Sequence, residues 1–78
     1  MNYKKNHDAY LSRISSQIRT FRKREKIPME LLGKRLGYCR QTYAEKENNP
    51  ELLTMKDLLA ISDLFGVKVE ELIKGANL

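Results

Sequence analysis

Helix breakers recur closely along this chain from Pro28 onward, so the elements after it are expected to be short. Pro28, Gly37, the run Asn48-Asn49-Pro50 and Gly66 mark the ends of the pieces. Between the breakers, apolar residues return every three or four positions. No segment keeps the strict alternation of a half-buried strand for more than a few residues. The pattern predicts an all-α fold, a compact cluster of five short helices with tight connections. A chain of this size buries roughly 60% of the surface its unfolded form exposes, enough for one small core and no second domain. Hydrophobic residues make up 41% and charged residues 32%, a globular balance that argues against wholesale disorder.

Asp8 is placed to cap a first helix whose stripe is Leu11, Ile14, Ile18 and Phe21. Arg22, Lys23, Arg24 and Lys26 load its last turn, where cations suit the helix dipole. Pro28 stops that helix and opens a second, about 29–36, with Leu32 and Leu36 facing inward. Gly37 ends it in a left-handed turn, and Tyr38 and Cys39 lead into a third helix from Arg40 to Glu47. Asn48, Asn49 and Pro50 break that helix, asparagine being suited to a left-handed cap. Thr54 and Asp57 resemble a capping box for an apolar helix holding Met55, Leu58, Leu59, Ile61, Leu64 and Phe65. Gly66 closes it, and Val67, Val69, Leu72 and Ile73 support a last short helix.

Residues 1–46 hold twelve basic and four acidic side chains, residues 47–78 three and six, and the net charge is +5. A cationic end of this kind suits a polyanion, and equally suits solvated helix surfaces that only keep the protein soluble. Cys39 is the single cysteine, so no internal disulfide is expected and a reducing cytoplasm fits. No apolar run approaches the ~18 residues of a membrane span and the first residues do not read as a secretory leader, so a cytoplasmic protein with no membrane partner is expected. Paired carboxylates, a Ser/His set and a metal-ligating cluster are all missing from the sequence, and His7 stands alone. No enzyme, cofactor, metal site or small-molecule substrate is therefore expected.

Two short helices around a glycine turn, the second carrying basic residues, have helix-turn-helix geometry. The run from Leu32 to Glu47, with Gly37, Tyr38 and Cys39 at its centre, resembles the core motif of the lambda-repressor-like (Xre/Cro-type) helix-turn-helix DNA-binding family. The resemblance covers about residues 13–73. Ile18, Phe21 and Arg22 match its first helix, Leu58 and Ile61 core positions of its fourth, and Phe65-Gly66-Val67 and Glu70-Glu71-Leu72 its ending. It implies a helix-turn-helix domain over 13–74, an N-terminal extension over 1–12 that is partly helical or disordered, and a tail over 75–78. The sequence departs from the family at several points. Pro28-Met29 replaces a Ser/Thr-Gln pair, removing a side-chain cap and a phosphate-binding glutamine. Gly33 replaces an alanine, at ~1 kcal/mol of helix propensity. Lys46 occupies a position usually aliphatic and is expected to snorkel, its methylenes over the core and its ammonium reaching water or DNA. Asn49 stands for a glycine and Leu53 for a frequent proline.

If the third helix enters a major groove, Arg40 can pair with guanine O6/N7 and Gln41 with adenine N6/N7. Ala44 can touch a thymine methyl and Glu45 can accept from cytosine N4. The same four residues would also suit a solvated face. Phosphate contacts are expected from Lys46, Asn48, Asn49 and the backbone N–H groups around Met29, with Lys34 and Arg35 flanking. Asn48 and Asn49 equally read as turn chemistry. The resemblance further implies an ion pair between Arg22 and Glu47 that fixes the angle of the reading helix. Cys39, at the N-cap of that helix, reads as a small tolerated residue or as a redox switch, since a helix N-terminus lowers a thiol's pKa. Tyr3, Lys4, Lys5 and His7 read as a disordered terminus or as an arm along DNA.

The expected function is that of a small bacterial or phage repressor-type regulator, binding double-stranded DNA in sequence-specific fashion. A homodimer on a two-fold-related operator is expected, paired through Leu72, Ile73 and Leu78. The alternatives are an antitoxin that binds DNA and a toxin, and a protein-interaction module that has lost DNA binding. Pro28, Met29 and Glu45 favour the second of these.

Overall fold

The computed structural model describes residues 3–74, with side chains from Asp8 to Ile73. The helices are α1 (Tyr3–Arg24), α2 (Met29–Leu36), α3 (Arg40–Asn48), α4 (Met55–Phe65) and α5 (Val69–Lys74), with one 3-10 turn at Pro50–Leu52 after α3. Among the described residues there is no strand, and the fold is all-α. No helix among them is long and apolar enough to cross a membrane.

Local chemistry places most of the boundaries. Gly37 takes the left-handed conformation (φ 87°) that ends α2. The Tyr38 N–H then reaches back to the Gly33 carbonyl at 2.8 Å, which satisfies an orphan carbonyl of the last turn. Thr54 and Asp57 form the reciprocal capping box at the start of α4. Two expectations are corrected. Asp8 does not cap α1, which runs back to Tyr3 because neither glycine nor proline interrupts the stretch between them. Asn49 is not left-handed: its φ is −126° and ψ 77°, because the ring of Pro50 pushes the preceding residue out of the helical region.

The core gathers Ile14, Ile18 and Phe21 from α1, Leu32 from α2 and Tyr43 from α3. Leu58, Ile61 and Phe65 join them from α4 and Leu72 from α5. Phe21 and Phe65 stack with ring centroids 5.6 Å apart. The amide of Gln17 donates to the Glu71 carbonyl at 3.2 Å, tying α5 to α1. Leu72 is fully buried there. The expected pairing surface is corrected accordingly: Leu72 is core, Ile73 is half-buried, and Leu78 lies outside the described residues.

Candidate nucleic-acid interface

α2 and α3 meet around Gly37 at a distance only glycine permits. A Cβ on Gly33 would stand 2.9 Å from the Tyr43 Cβ and 3.1 Å from the Tyr38 carbonyl oxygen. The glycine therefore does more than concede helix propensity. It lets α2 approach the Cβ of the fully buried Tyr43 and the Tyr38 and Cys39 carbonyls.

The last turn of α3 is held from the α1 side. Glu47, 1% exposed, accepts from Arg22 Nε at 3.1 Å and Nη2 at 2.9 Å. Arg19 Nε lies 3.3 Å from the same carboxylate. The Ser15 hydroxyl donates to the Glu47 carbonyl, and Arg19 Nη2 donates to Asn48 Oδ1. Arg22 also reaches the Ile27 carbonyl at 3.4 Å, so one guanidinium joins α1, the α1–α2 connection and α3. Close by, the Tyr43 hydroxyl is buried with no hydrogen-bond partner among the described residues. Burial pushes its pKa well up.

A second polar group holds the opposite flank. Lys46 Nζ donates to the Leu52 carbonyl at 2.9 Å. It also lies 3.8 Å from Asp57 Oδ2 and 4.6 Å from the centroid of the Tyr38 ring. The Tyr38 hydroxyl donates to the Asp57 carboxylate, 2.8 Å from Oδ1 and 3.0 Å from Oδ2. That hydrogen bond holds the phenol above its ordinary pKa. Lys46, expected at a phosphate, thus has its ammonium turned toward the protein.

The outer face of α3 is different. Arg40, Gln41 and Glu45 are exposed, Ala44 is half-buried, and none of the three polar side chains is hydrogen-bonded or ion-paired with a described residue. Thr42 is exposed beside them. It went unnamed in the sequence reading, although its spacing of three from Glu45 puts it on the same side. Asn49 donates its side-chain amide to the Glu45 carbonyl at 3.2 Å, which is helix-end chemistry, while Asn48 is exposed and joined to Arg19. Pro28 gives α2 no side-chain cap, so the N–H groups of its first turn, at Met29 and Glu30, are left pointing out of the helix end. Lys34 and Arg35 are exposed on α2.

Cys39, exposed at the N-cap of α3, has its Sγ 3.2 Å from the Thr42 hydroxyl. That contact, helped by the N–H groups of Thr42 and Gln41, lowers the thiol's pKa. The side chains of Tyr3, Lys4, Lys5 and His7 lie outside the described residues. Sequence reasoning also missed Ser15 and Arg19, and it saw Tyr38 and Asp57 only as turn and cap residues. Tyr38 and Asp57 are 19 residues apart, and Ser15 and Glu47 are 32 apart, so no local pattern announces these contacts.

The sequence model of a family described as helix-turn-helix matches residues 18–72, from the middle of α1 into α5. No curated protein and no solved structure matches the chain.

Proposed function

The chain belongs to the lambda-repressor-like helix-turn-helix family of DNA-binding regulators, and we propose on that premise that it is a sequence-specific, repressor-type regulator that reads the major groove with α3. The observation that carries this reading is the division of labour on that helix. Its inner face is tied down at Glu47, Lys46 and Tyr43. Its outer face presents Arg40, Gln41 and Glu45 unengaged, with Ala44 at the edge. An exposed arginine and glutamine on adjacent positions match the donor patterns of guanine and adenine. Exposed Lys23, Arg24, Lys26, Lys34 and Arg35 supply the sequence-independent attraction to phosphate. Met29, through its backbone N–H, and Asn48 are the best-placed phosphate ligands. Asn49 serves the helix end at the same time.

Two turns of helix read only a few base pairs, so two copies on half-sites about 34 Å apart are the natural unit. With Leu72 in the core, the outer face of α4 suits the pairing better. Met55 and Leu59 are 60% and 48% exposed there. Lys56 and Asp63, both exposed, lie symmetrically about the midpoint of that face. An antiparallel second copy would set each Lys56 against the partner's Asp63, as an isologous contact requires.

Selection of bound duplexes from a random pool tests the reading: an enriched, two-fold-related sequence supports it. Recovery of no preferred sequence would refute it. Sedimentation of the wild type and Leu59→Glu on the recovered duplex tests the pairing, which predicts a dimer for the first and a monomer for the second.

A further inference from the structure

Lys46, Tyr38 and Asp57 are all partly or wholly withdrawn from solvent, and each sits on a different segment. The Lys46 side chain is 16% exposed and that of Asp57 6%. An ammonium has three donors and no acceptor. Here it donates one hydrogen bond to the Leu52 carbonyl and has a carboxylate at 3.8 Å and the π face of a ring at 4.6 Å, which hold it toward the protein. The Asp57 carboxylate has two duties. It accepts the Thr54 N–H at 3.1 Å, completing the cap of α4, and it accepts the Tyr38 hydroxyl.

The arrangement grips α3 at both ends. Tyr38 precedes its first residue by two positions, and Lys46 lies in its last turn. The described polar side chains of α1, by contrast, bond to α3 at Glu47 and Asn48, in its last turn. Tyr43 packed on Gly33 supports the middle. The Tyr38–Asp57 hydrogen bond fixes the chain just before Arg40 and Gln41, and Lys46 ties the last turn of α3 to the same neighbourhood.

We infer that Lys46, Tyr38 and Asp57 form a latch between the turn, α3 and the cap of α4 that seats the reading helix, making Lys46 a positioning residue for base recognition rather than a phosphate ligand. The inference rests on the DNA-reading function proposed above. Its physical basis is the difference between the two kinds of contact. A bidentate pair to a base edge needs hydrogen-bond distances near 2.9 Å and near-linear angles. Attraction to a phosphate is a longer-range charge effect that tolerates small displacements. Loosening the latch therefore reduces discrimination and leaves general affinity in place.

The test uses the full chain as wild type, Lys46→Met, Lys46→Arg and Tyr38→Phe. Affinities are measured for the selected duplex and a random duplex over a series of salt concentrations, well below each variant's melting point. Lys46→Met keeps an unbranched apolar stem over the core and removes the ammonium, with its charge and its hydrogen bond to the Leu52 carbonyl. It should lower the selected-over-random ratio about tenfold, with the random-duplex affinity and salt dependence unchanged. Lys46→Arg should restore most of that ratio. Tyr38→Phe, which deletes one hydroxyl and keeps the ring, should lower it less and provides a readout even if Lys46→Met folds poorly. A fall of about one in the salt slope on both duplexes would make Lys46 a phosphate ligand and overturn the inference. Lower melting points with an unchanged ratio would reduce the latch to a stability device and overturn it too. A wild type with no preferred duplex would instead refute the DNA-reading function, and the latch with it.

Discussion

Removing the Arg22 guanidinium deletes two hydrogen bonds to Glu47, at 3.1 and 2.9 Å, and a third to the Ile27 carbonyl. Glu47 is 1% exposed and cannot turn to water in response. Stripping one partner from a buried ion pair costs about 3–5 kcal/mol, because the remaining charge is left uncompensated. Arg19 stays 3.3 Å from the carboxylate and offsets part of that, so Arg22→Ala should destabilise the fold by about 3 kcal/mol. A domain of 78 residues has a total stability of roughly 4–12 kcal/mol, so the loss is a large fraction of the whole. The melting temperature should fall by roughly 12–24 °C. Arg19→Ala, at a side chain 42% exposed, should cost no more than about 1 kcal/mol. Urea denaturation of Arg22→Ala, Glu47→Ala and the double variant closes the cycle. The coupling energy should be about 2 kcal/mol, the range for a charge-assisted hydrogen-bonded contact. Single effects that add to within about 0.5 kcal/mol would refute the claim that this pair holds α3.

Gly33→Ala gains ~1 kcal/mol of helix propensity, but its Cβ would press on Tyr43 at 2.9 Å. Overpacking at about 1–3 kcal/mol less that gain leaves a net loss of about 0–2 kcal/mol in chemical denaturation, and a more stable variant would contradict the close α2–α3 approach. Tyr43→Phe removes a buried hydroxyl that has no partner among the described residues, so stability should be unchanged or rise by up to about 1 kcal/mol. A loss greater than that would place a hydrogen bond there after all. The lowered pKa of Cys39 means that its reactive thiolate appears at lower pH than for an ordinary cysteine. The alkylation rate plotted against pH should have its midpoint below that of an unfolded control peptide, and a midpoint at or above the control would contradict the Thr42 contact.

What the sequence disclosed and what it hid divide along the range of the interactions. Gly37, Gly66 and the Thr54–Asp57 box act within three or four residues, and the helices end and begin where those residues stand. Asp8 misled because its preference for a cap is small beside the continuity of a helix, and no breaker before it forces a start there. Met55 and Leu72 are both apolar and both on helical stripes. One is 60% exposed and the other fully buried, because α5 closes onto α1 while, among the described residues, nothing covers the Met55 side of α4. Lys46 shows the limit most clearly. At an aliphatic position it reads as a snorkelling cation, and its inward turn depends on Leu52 and Asp57, six and eleven residues further along the chain. On the outer face of α3, helical spacing was sufficient to pick out Arg40, Gln41 and Glu45, because exposure there is the absence of a neighbour across an otherwise regular helix.

The central claim is that the outer face of α3 reads base edges. It is tested most directly by the affinities of wild type, Arg40→Ala and Gln41→Ala for the selected and the random duplex across a salt series. Each variant should lose about 1–3 kcal/mol on the selected duplex, relax preference at one or two base positions, and bind the random duplex almost as wild type does. Equal losses on both duplexes would contradict the claim and leave α3 as a basic surface without readout.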